Sequence, residues 1–298
     1  MQFVTAGGAT LPALGFGTYG MARQDMLRMI PAALKTGFRH IDTAQIYRNE
    51  AETGECVAAS GLRREELFLT TKIWVANYSE RAFARSVDDS LRKLRADYID
   101  LLLLHWPSNA VPLAEQIAGL DAAVQAGKVR HIGVSNFNRA LLEEAVKLSA
   151  APIVTNQFEY HPYLNQALLI DACRRLGVGV TAYCGMAVGR VFGEPMLKDI
   201  AAAHRKTVAQ IVLRRLLQQD GVIALSRSVN PDRIASNMQV FDFALSPKEM
   251  AAIQDLARDG SRIVDPPGLA PAWDPTPKAD PDSGSDEKTP WAMSARTR

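Results

Sequence analysis

The sequence has little of several features that would point to particular classes of protein. Its 298 residues include three cysteines, Cys56, Cys173 and Cys184, with no C-x-x-C pair and no Cys/His spacing typical of a zinc site. We therefore expect neither a disulfide framework nor a bound metal. The formal net charge is only +2, which gives no general reason to expect binding to nucleic acid or to a membrane surface.

Long apolar runs are also missing. No stretch approaches the roughly 18 apolar residues that a membrane helix needs, and the N-terminal residues lack the basic and apolar segments of a signal peptide. We therefore expect a cytoplasmic protein. Its composition, 47% hydrophobic and 22% charged residues, is that of a globular chain with a substantial core.

Short apolar segments alternate with amphipathic ones along most of the chain. Each short segment is nearly all apolar, as in strands that are buried on both faces of a parallel sheet. Eight such strands are predicted, each followed by a helix, at residues 14–19, 39–41, 67–71, 99–104, 129–134, 153–155, 178–181 and 222–225. Eight units of this kind favour a closed (β/α)8 barrel, the TIM barrel. The rival is a doubly wound sheet, which would carry G-x-G-x-x-G after its first strand, and we expect no such motif in this sequence.

Signals at the segment ends refine this picture. Residues before the first barrel strand predict a hairpin, and Gly37 is suited to ending the first helix. Pro31 lies inside that helix and predicts a kink or a late start. The barrel domain is predicted over residues 1–273. Residues 274–298 are rich in Pro, Asp, Ser and Lys, which predicts a mostly disordered tail.

Polar residues with reactive side chains follow several of the predicted strands. Asp42 and Lys72 end two strands and His105 follows a third, while Tyr47 lies in the loop after Asp42. The strand ends of a barrel meet at one mouth, so these residues are expected to be close together. A neighbouring ammonium lowers the pKa of a phenol, and a carboxylate would hold that ammonium in place. This set suits carbonyl reduction, with Tyr47 as the proton donor.

Six ordered segments give a more specific indication: GFRHIDTAQIYRNE, TTKIW, LLLLHWP, GVSNFN, TNQFEYHPYL and RSVNPDRIASN. They resemble the signature segments of the aldo-keto reductases, over Gly15 to about Leu256. The resemblance implies an NADPH-dependent oxidoreductase with Asp42, Tyr47, Lys72 and His105 as its catalytic residues. His105 would orient the carbonyl.

The same resemblance implies a cofactor site. Three side chains would bind the nicotinamide carboxamide (Ser135, Asn136 and Gln157), and Tyr183 would stack on the ring. Further cofactor contacts are expected from Thr18, Cys184, Met186, Arg227, Ser228, Val229, Arg233 and Asn237. Two of these, Arg227 and Arg233, surround a predicted helix start, where free backbone N–H groups favour an anion. The 2′-phosphate that distinguishes NADPH from NADH is such an anion, so we predict NADPH.

Two further segments, VTAYCGMAVGRVF and RIVDPPGLAPAWD, resemble those of bacterial 2,5-diketo-D-gluconate reductases of the B type. That subgroup also reduces methylglyoxal and other small dicarbonyls, which become the expected substrates. Four aromatic residues are expected to line the substrate pocket: Tyr19, Trp74, Trp106 and Trp273. We expect a monomer whose only partner is a small carbonyl compound.

Two alternative functions are compatible with a barrel of this kind. In a Schiff-base lyase, Lys72 would be the nucleophile, although this leaves the Arg227 segment unexplained. In a sensor, the protein would bind NADPH without turnover, although the complete set of catalytic residues argues against this.

Overall fold

The computed structural model describes residues 2–275, and its central element is a closed barrel of eight parallel strands. The barrel strands follow one another around the barrel in chain order: β3 (Leu14–Gly17), β4 (His40–Asp42), β5 (Phe68–Ile73), β6 (Ile99–Leu104), β7 (Val129–Ser135), β8 (Ile153–Glu159), β9 (Gly179–Tyr183) and β10 (Val222–Ser226). Strand β10 pairs with β3 and closes the barrel. An antiparallel hairpin, β1 (Phe3–Ala6) and β2 (Ala9–Pro12), precedes it. The predicted TIM barrel and its N-terminal hairpin are thereby confirmed.

Helices connect the strands on the outside of the barrel. Those after the first four strands are α1 (Arg23–Thr36), α2 (Glu50–Ala58), α3 (Glu80–Leu94) and α4 (Leu113–Gln125). The others are α5 (Arg139–Leu148), α6 (Ala167–Arg175), α7 (Pro195–His204), α8 (Val208–Leu217), α9 (Pro231–Met238) and α10 (Pro247–Gln254). Within residues 2–275, no helix is both long and apolar enough to cross a membrane.

The apolar strands are buried on both faces, as β6 illustrates. Leu101 and Leu103 belong to a small cluster inside the barrel, whereas Leu102 and Leu104 belong to the larger cluster between strands and helices. Successive strand residues point to opposite faces, so one leucine run supplies both cores. This is why apolar and polar residues do not alternate along this strand.

The hairpin residues close one end of the barrel. Ala9 and Leu11 of β2 pack in the inner cluster with residues of four barrel strands: Phe68, Leu101, Leu103, Val154 and Ile223. Apolar side chains therefore fill that end of the barrel. The open end is the opposite one, where the parallel strands terminate.

Two details differ from the sequence-based picture. The G-x-G-x-x-G spacing does occur, at Gly15, Gly17 and Gly20. Gly15 and Gly17 lie inside β3 and α1 begins only at Arg23, so this is not the strand–turn–helix of a doubly wound fold. Helix α1 also continues through Pro31, on its exposed side, so the predicted late start is wrong.

The remaining segment predictions have separate outcomes. Gly37 does end α1 in the left-handed conformation, with φ of 106°. Of the predicted tail, Asp274 lies within the described part of the chain and is bonded to Arg139. Residues 276–298 lie outside the described residues, so the boundary at residue 273 stays a prediction.

The close packing of α2 on α3 generates a stability prediction. A Cβ atom on Gly54 would lie 2.7 Å from Cα of Leu94 and closer still to the backbone carbonyl of Lys93. These are backbone atoms, so the helices must separate to admit a methyl group. We expect Gly54→Ala to lower the free energy of unfolding by roughly 1–3 kcal/mol, despite its better helix propensity.

The matched control is Gly193→Ala, because a Cβ there meets no atom within 4 Å. Its effect should stay within about 0.5 kcal/mol. Urea unfolding followed by circular dichroism measures both variants. Equal stability of the two variants would contradict the packing argument.

Candidate active site

The four residues predicted to be catalytic lie together at the open end of the barrel. Asp42 is the last residue of β4, Lys72 lies near the end of β5, and His105 directly follows β6. Tyr47 ends a short 3-10 turn after β4. Its ring centroid lies 5.1 Å from Nζ of Lys72 and 5.5 Å from the ring centroid of His105.

Lys72 and Asp42 form a fully enclosed ion pair. Nζ of Lys72 donates to Oδ1 of Asp42 at 2.5 Å and to the backbone oxygen of Thr43 at 2.8 Å. The other oxygen of Asp42 accepts from Nε2 of Gln157 at 2.8 Å. Burial lowers the pKa of Lys72, and the Asp42 carboxylate opposes that shift. Hydrogen bonds to both charged groups are what make such a buried pair tolerable.

The acidity expected for Tyr47 is contradicted. Burial raises the pKa of its phenol well above the ordinary value, and the charge of Asp42 raises it further. The sequence predicted that Lys72 would lower this pKa, but burial and the charge of Asp42 outweigh any such effect. Tyr47 is therefore neutral near pH 7, the protonation state of a proton donor.

His105 is neutral as well. Burial lowers the pKa of its imidazole well below 6.5, and the charge of Lys72 lowers it further. Within the described residues, its Nδ1 atom is buried without a hydrogen-bond partner. The four residues Asp42, Tyr47, Lys72 and His105 are called the tetrad below. His105 brings an uncharged ring to it, beside the neutral phenol of Tyr47.

Asn49, which the sequence analysis did not single out, joins two loops beneath these residues. Its side chain donates to the backbone oxygen of Thr18 at 2.9 Å and accepts from the hydroxyl of Thr43 at 2.9 Å. Thr18 was predicted to contact the cofactor. Its buried hydroxyl donates to the backbone oxygen of Asp42 and to Asn49, and the cofactor contact stays a prediction.

Gln45 fixes the turn that carries Tyr47. Its Oε1 accepts from the backbone N–H of Trp74 at 3.0 Å and from Nδ2 of Asn77 at 2.9 Å. Its Nε2 donates to two oxygens of α3. One amide thus ties the Tyr47 turn to the loop after β5 and to a helix. Only the spatial contacts reveal this, since the sequence carries no signal for it.

The residues expected around the nicotinamide ring do lie together. Asn136 donates to the backbone oxygen of His105 at 2.9 Å and accepts from the hydroxyl of Tyr183 at 2.7 Å. The hydroxyl of Ser135 donates to the backbone oxygen of Gln157 at 2.8 Å. Ser135 also pairs with Gln157 in the barrel register. These polar groups form a connected network next to the tetrad.

The loop after β9 has an unusual backbone. Cys184, Ala187 and Val188 all have positive φ, between 46° and 57°. Met186 and Cys184 are both partly buried in this loop. Burial raises the pKa of the Cys184 thiol to about 11, so it is protonated and a poor nucleophile near neutral pH.

The two arginines predicted to hold a phosphate lie beyond β10. Arg227 is exposed, and its guanidinium donates to the backbone oxygen of Gly20 at 3.1 Å. Arg233 is exposed in the first turn of α9, and no ion pair to it occurs within residues 2–275. Asn230 caps that helix by accepting from the N–H groups of Asp232 and Arg233.

Three further predicted cofactor contacts lie in the same segment. The Ser228 hydroxyl donates to the backbone oxygen of Asn230, and Val229 is 49% exposed. Asn237 is buried and donates to the hydroxyl of Ser226 at 2.9 Å. Ser228 and Val229 are therefore accessible to a ligand, whereas Asn237 bonds inside the protein.

Four aromatic residues expected at the substrate pocket are distributed around the tetrad: Tyr19, Trp74, Trp106 and Trp273. The ring of Tyr19 lies 5.0 Å from that of Tyr47, and the ring of Trp74 lies 5.5 Å from that of His105. The ring centroids of Trp106 and Trp273 lie 6.4 Å apart, in an edge-to-face arrangement. Tyr19 is 69% exposed, so the group forms a rim that is partly open to solvent.

Residues 261–274, which we call the strap, are attached to the open end of the barrel. The carboxylate of Glu159, at the end of β8, accepts from the backbone N–H groups of Ile263 and Val264, each at 2.8 Å. It also accepts from His161 at 2.8 Å. Glu159 was not singled out from the sequence, because its two partners in the strap lie more than a hundred residues away.

The other end of the strap is attached beside β7. Asn138 donates to the backbone oxygen of Ala272 at 2.8 Å. Arg139 donates to Asp274 through its backbone N–H at 3.0 Å and through Nε at 3.1 Å. The strap therefore runs between the ends of β8 and β7, and this path carries Trp273 to the mouth of the barrel.

Comparison with known proteins agrees with this arrangement. The aldo/keto reductase family model matches residues 13–258. A methylglyoxal reductase DkgB of Yersinia pestis is 40% identical over 268 residues, covering 89% of this chain and all of the relative. An aldo-keto reductase of Mycobacterium avium is 41% identical over 260 residues, covering 87% of this chain and 90% of the relative.

Solved structures agree as well. The crystal structure of a candidate 2,5-diketo-D-gluconic acid reductase B superposes with a TM-score of 0.91 at 56% identity, covering 92% of this chain and 98% of that one. A Bombyx mori aldo-keto reductase in complex with NADP superposes with a TM-score of 0.83 at 34% identity, covering 89% of this chain and 95% of that one. This chain therefore belongs to the aldo/keto reductase family and is an oxidoreductase.

Proposed function

We propose that this protein reduces small aldehydes and ketones to alcohols, with NADPH as the hydride donor and Tyr47 as the proton donor. The observation that carries the proposal is the position of the neutral Tyr47 phenol beside the buried Lys72–Asp42 pair and the neutral His105. Small dicarbonyls, methylglyoxal and 2,5-diketo-D-gluconate, are the first substrates to test, because two relatives are named for these compounds.

The residues at the mouth suit a nicotinamide nucleotide. Ser135, Asn136 and Gln157 offer hydroxyl and amide groups that match a carboxamide, and Tyr183 offers a ring face. Arg227 and Arg233 offer guanidinium groups that match a phosphate. When bound, the nucleotide supplies a hydride to the carbonyl carbon.

The protein's own residues handle the proton. As hydride reaches carbon, the carbonyl oxygen becomes an alkoxide, a stronger base than a phenolate. The Tyr47 O–H therefore donates its proton to this oxygen even though burial raises its pKa. The ammonium of Lys72 then stabilises the phenolate, and Asp42 holds that ammonium in place.

His105 has a different role in this scheme. We assign its proton to Nε2, which leaves only a lone pair on the enclosed Nδ1 atom. The Nε2–H group donates a hydrogen bond to the carbonyl oxygen and orients it. Because the imidazole is neutral, it does not compete with Tyr47 as an acid.

The two alternatives fit less well. A Schiff-base nucleophile must be an unprotonated amine, but Lys72 is held in an ion pair at 2.5 Å. A sensor without turnover is disfavoured because the chain belongs to a family of enzymes. The expectations of a monomer and of a cytoplasmic location stay predictions.

Replacing the proton donor tests the mechanism directly. With methylglyoxal and NADPH, we expect Tyr47→Phe to lower kcat by roughly 10²- to 10⁴-fold, since the phenyl ring has no proton to give. The measurement is the loss of nicotinamide absorbance, with circular dichroism to verify folding. Tyr19→Phe is the matched control, since it removes a neighbouring phenol at the exposed rim and should keep most of the activity. Unchanged turnover by Tyr47→Phe would overturn the role of Tyr47 as proton donor. If the wild type oxidised no NADPH with any of these carbonyl compounds, the proposed reductase function would be wrong.

The pKa directions predict an unusual pH profile. A proton donor is lost as the pH rises through its pKa, and that of Tyr47 lies well above 10. The pKa of His105 lies well below 6.5, so its neutral form persists on the acid side. We expect kcat for reduction to stay level from about pH 6.5 to 9 and to fall only above about pH 10. Stopped-flow rates of hydride transfer across this range provide the measurement, and a decline centred near pH 7–8 would show a lowered phenol pKa instead.

The arginine segment predicts cofactor preference. Arg233→Gln should raise the KM for NADPH by roughly 10-fold or more, because it removes a charge-assisted contact to the 2′-phosphate, and should leave the KM for NADH unchanged. Arg81→Gln, which removes an exposed arginine on α3, controls for the change in net charge. Equal effects on NADPH and NADH would contradict the phosphate assignment.

A further inference from the structure

The strap places a second charged group close to the mouth of the barrel. The guanidinium carbon of Arg262 lies 3.6 Å from the ring centroid of Trp273. Nε1 of that tryptophan donates to Asp265 at 2.8 Å, which fixes the ring within the strap. The ring of Trp273 contacts Trp106, the residue after His105. Trp273 thus connects Arg262 with the chain segment that carries His105.

Within residues 2–275, Arg262 is a cation without an anionic partner. Three carboxylates lie near enough to raise its pKa, those of Glu159, Asp265 and Asp274. Each is used elsewhere, by the backbone of the strap, by Trp273 and by Arg139 respectively. No ion pair to Arg262 is formed within residues 2–275, and its Nη1 atom is buried without a hydrogen-bond partner.

An arrangement of this kind is costly unless it serves a ligand. A buried donor that lacks an acceptor loses its hydration without compensation, and the loss is larger for a charged group. Burial lowers the pKa of Arg262, yet a guanidinium keeps its charge in a protein. The indole of Trp273 holds the guanidinium at 3.6 Å, and Arg262 is only half-buried. Its Nε and Nη2 donors are not enclosed as Nη1 is, so they can reach a carboxylate.

We propose that Arg262, stacked on Trp273, binds the carboxylate of an anionic carbonyl substrate. The proposal rests on the reductase function proposed above and narrows its substrate class to oxo acids, in preference to neutral dicarbonyls such as methylglyoxal. A cofactor phosphate is a second possible anion. The contacts favour the substrate, because Arg262 adjoins the aromatic rim rather than the Arg227 segment.

Two aldehydes of nearly equal size separate charge from shape: 4-carboxybenzaldehyde and the neutral 4-nitrobenzaldehyde. We expect Arg262→Met to raise the KM for 4-carboxybenzaldehyde by roughly 10- to 100-fold, as for loss of a charge-assisted pair. The KM for 4-nitrobenzaldehyde should change less than about 3-fold, since methionine keeps the length and apolar stem of the side chain. Arg262→Lys should recover part of the preference, because it restores the charge but not the planar fork.

A control variant separates binding from strap attachment. Asn138→Ser removes the bond to the backbone oxygen of Ala272, keeps a side-chain oxygen to cap α5 and leaves Arg262 and its neighbouring carboxylates unchanged, so it should affect both aldehydes alike. If Arg262→Met also affects both alike, Arg262 only holds the strap and the proposal is wrong. If it raises the KM for NADPH without changing the ratio between the aldehydes, the anion belongs to the cofactor and the proposal is again wrong.

A binding measurement keeps this test independent of turnover. D-Gluconate carries a carboxylate but no carbonyl to reduce, and calorimetry can compare it with neutral D-glucose in wild type and in Arg262→Met. Binding of gluconate that depends on Arg262 would support the anion site even if no carbonyl were reduced, in which case only the reductase proposal would fall. Absence of gluconate binding together with equal KM values for the two aldehydes would overturn the site while leaving the reductase function standing.

Discussion

The enclosed ion pair between Lys72 and Asp42 is the constraint on which the open end of the barrel depends. Both side chains are almost completely buried, and removing one partner of such a pair typically costs about 3–5 kcal/mol. Neighbouring groups bond to the pair, among them the backbone oxygen of Thr43 and Nε2 of Gln157. A closed barrel suits this need, because β4, β5 and β8 all end at the same mouth although β8 pairs with neither of the others.

The pair also determines how the neighbouring groups are charged. Burial raises the pKa of Tyr47, and the charge of Asp42 raises it further, so the phenol stays neutral. The same burial keeps His105 neutral. The tetrad thus concentrates its charge in one internal pair and presents two uncharged hydrogen-bonding groups. Fixed hydrogen-bonding groups of this kind stabilise charge that develops on a reacting oxygen better than they stabilise a charge that the ligand already carries.

How far the sequence could predict this site depends on the range of the contacts. Asp42, Lys72 and His105 could be located because each follows an apolar strand, and strand ends meet in a barrel. The pKa direction of Tyr47 could not be read, because it depends on burial and on the charge of Asp42. The contacts of Glu159 with Ile263 and Val264 span more than a hundred residues. No local pattern indicates such a contact. This is why the attachment of the strap, and an Arg262 without an ion pair among residues 2–275, emerged only from the structure.

Charge in this protein is graded by depth. The innermost pair, Lys72 and Asp42, is neutral overall, while Arg227 and Arg233 are exposed at the periphery. Arg262 lies between these extremes, partly buried and held against an indole ring. An exposed arginine would gain little from a carboxylate in water, and a fully buried one could not be reached by a ligand. The intermediate position is the one at which a single guanidinium can distinguish an anionic substrate from a neutral one.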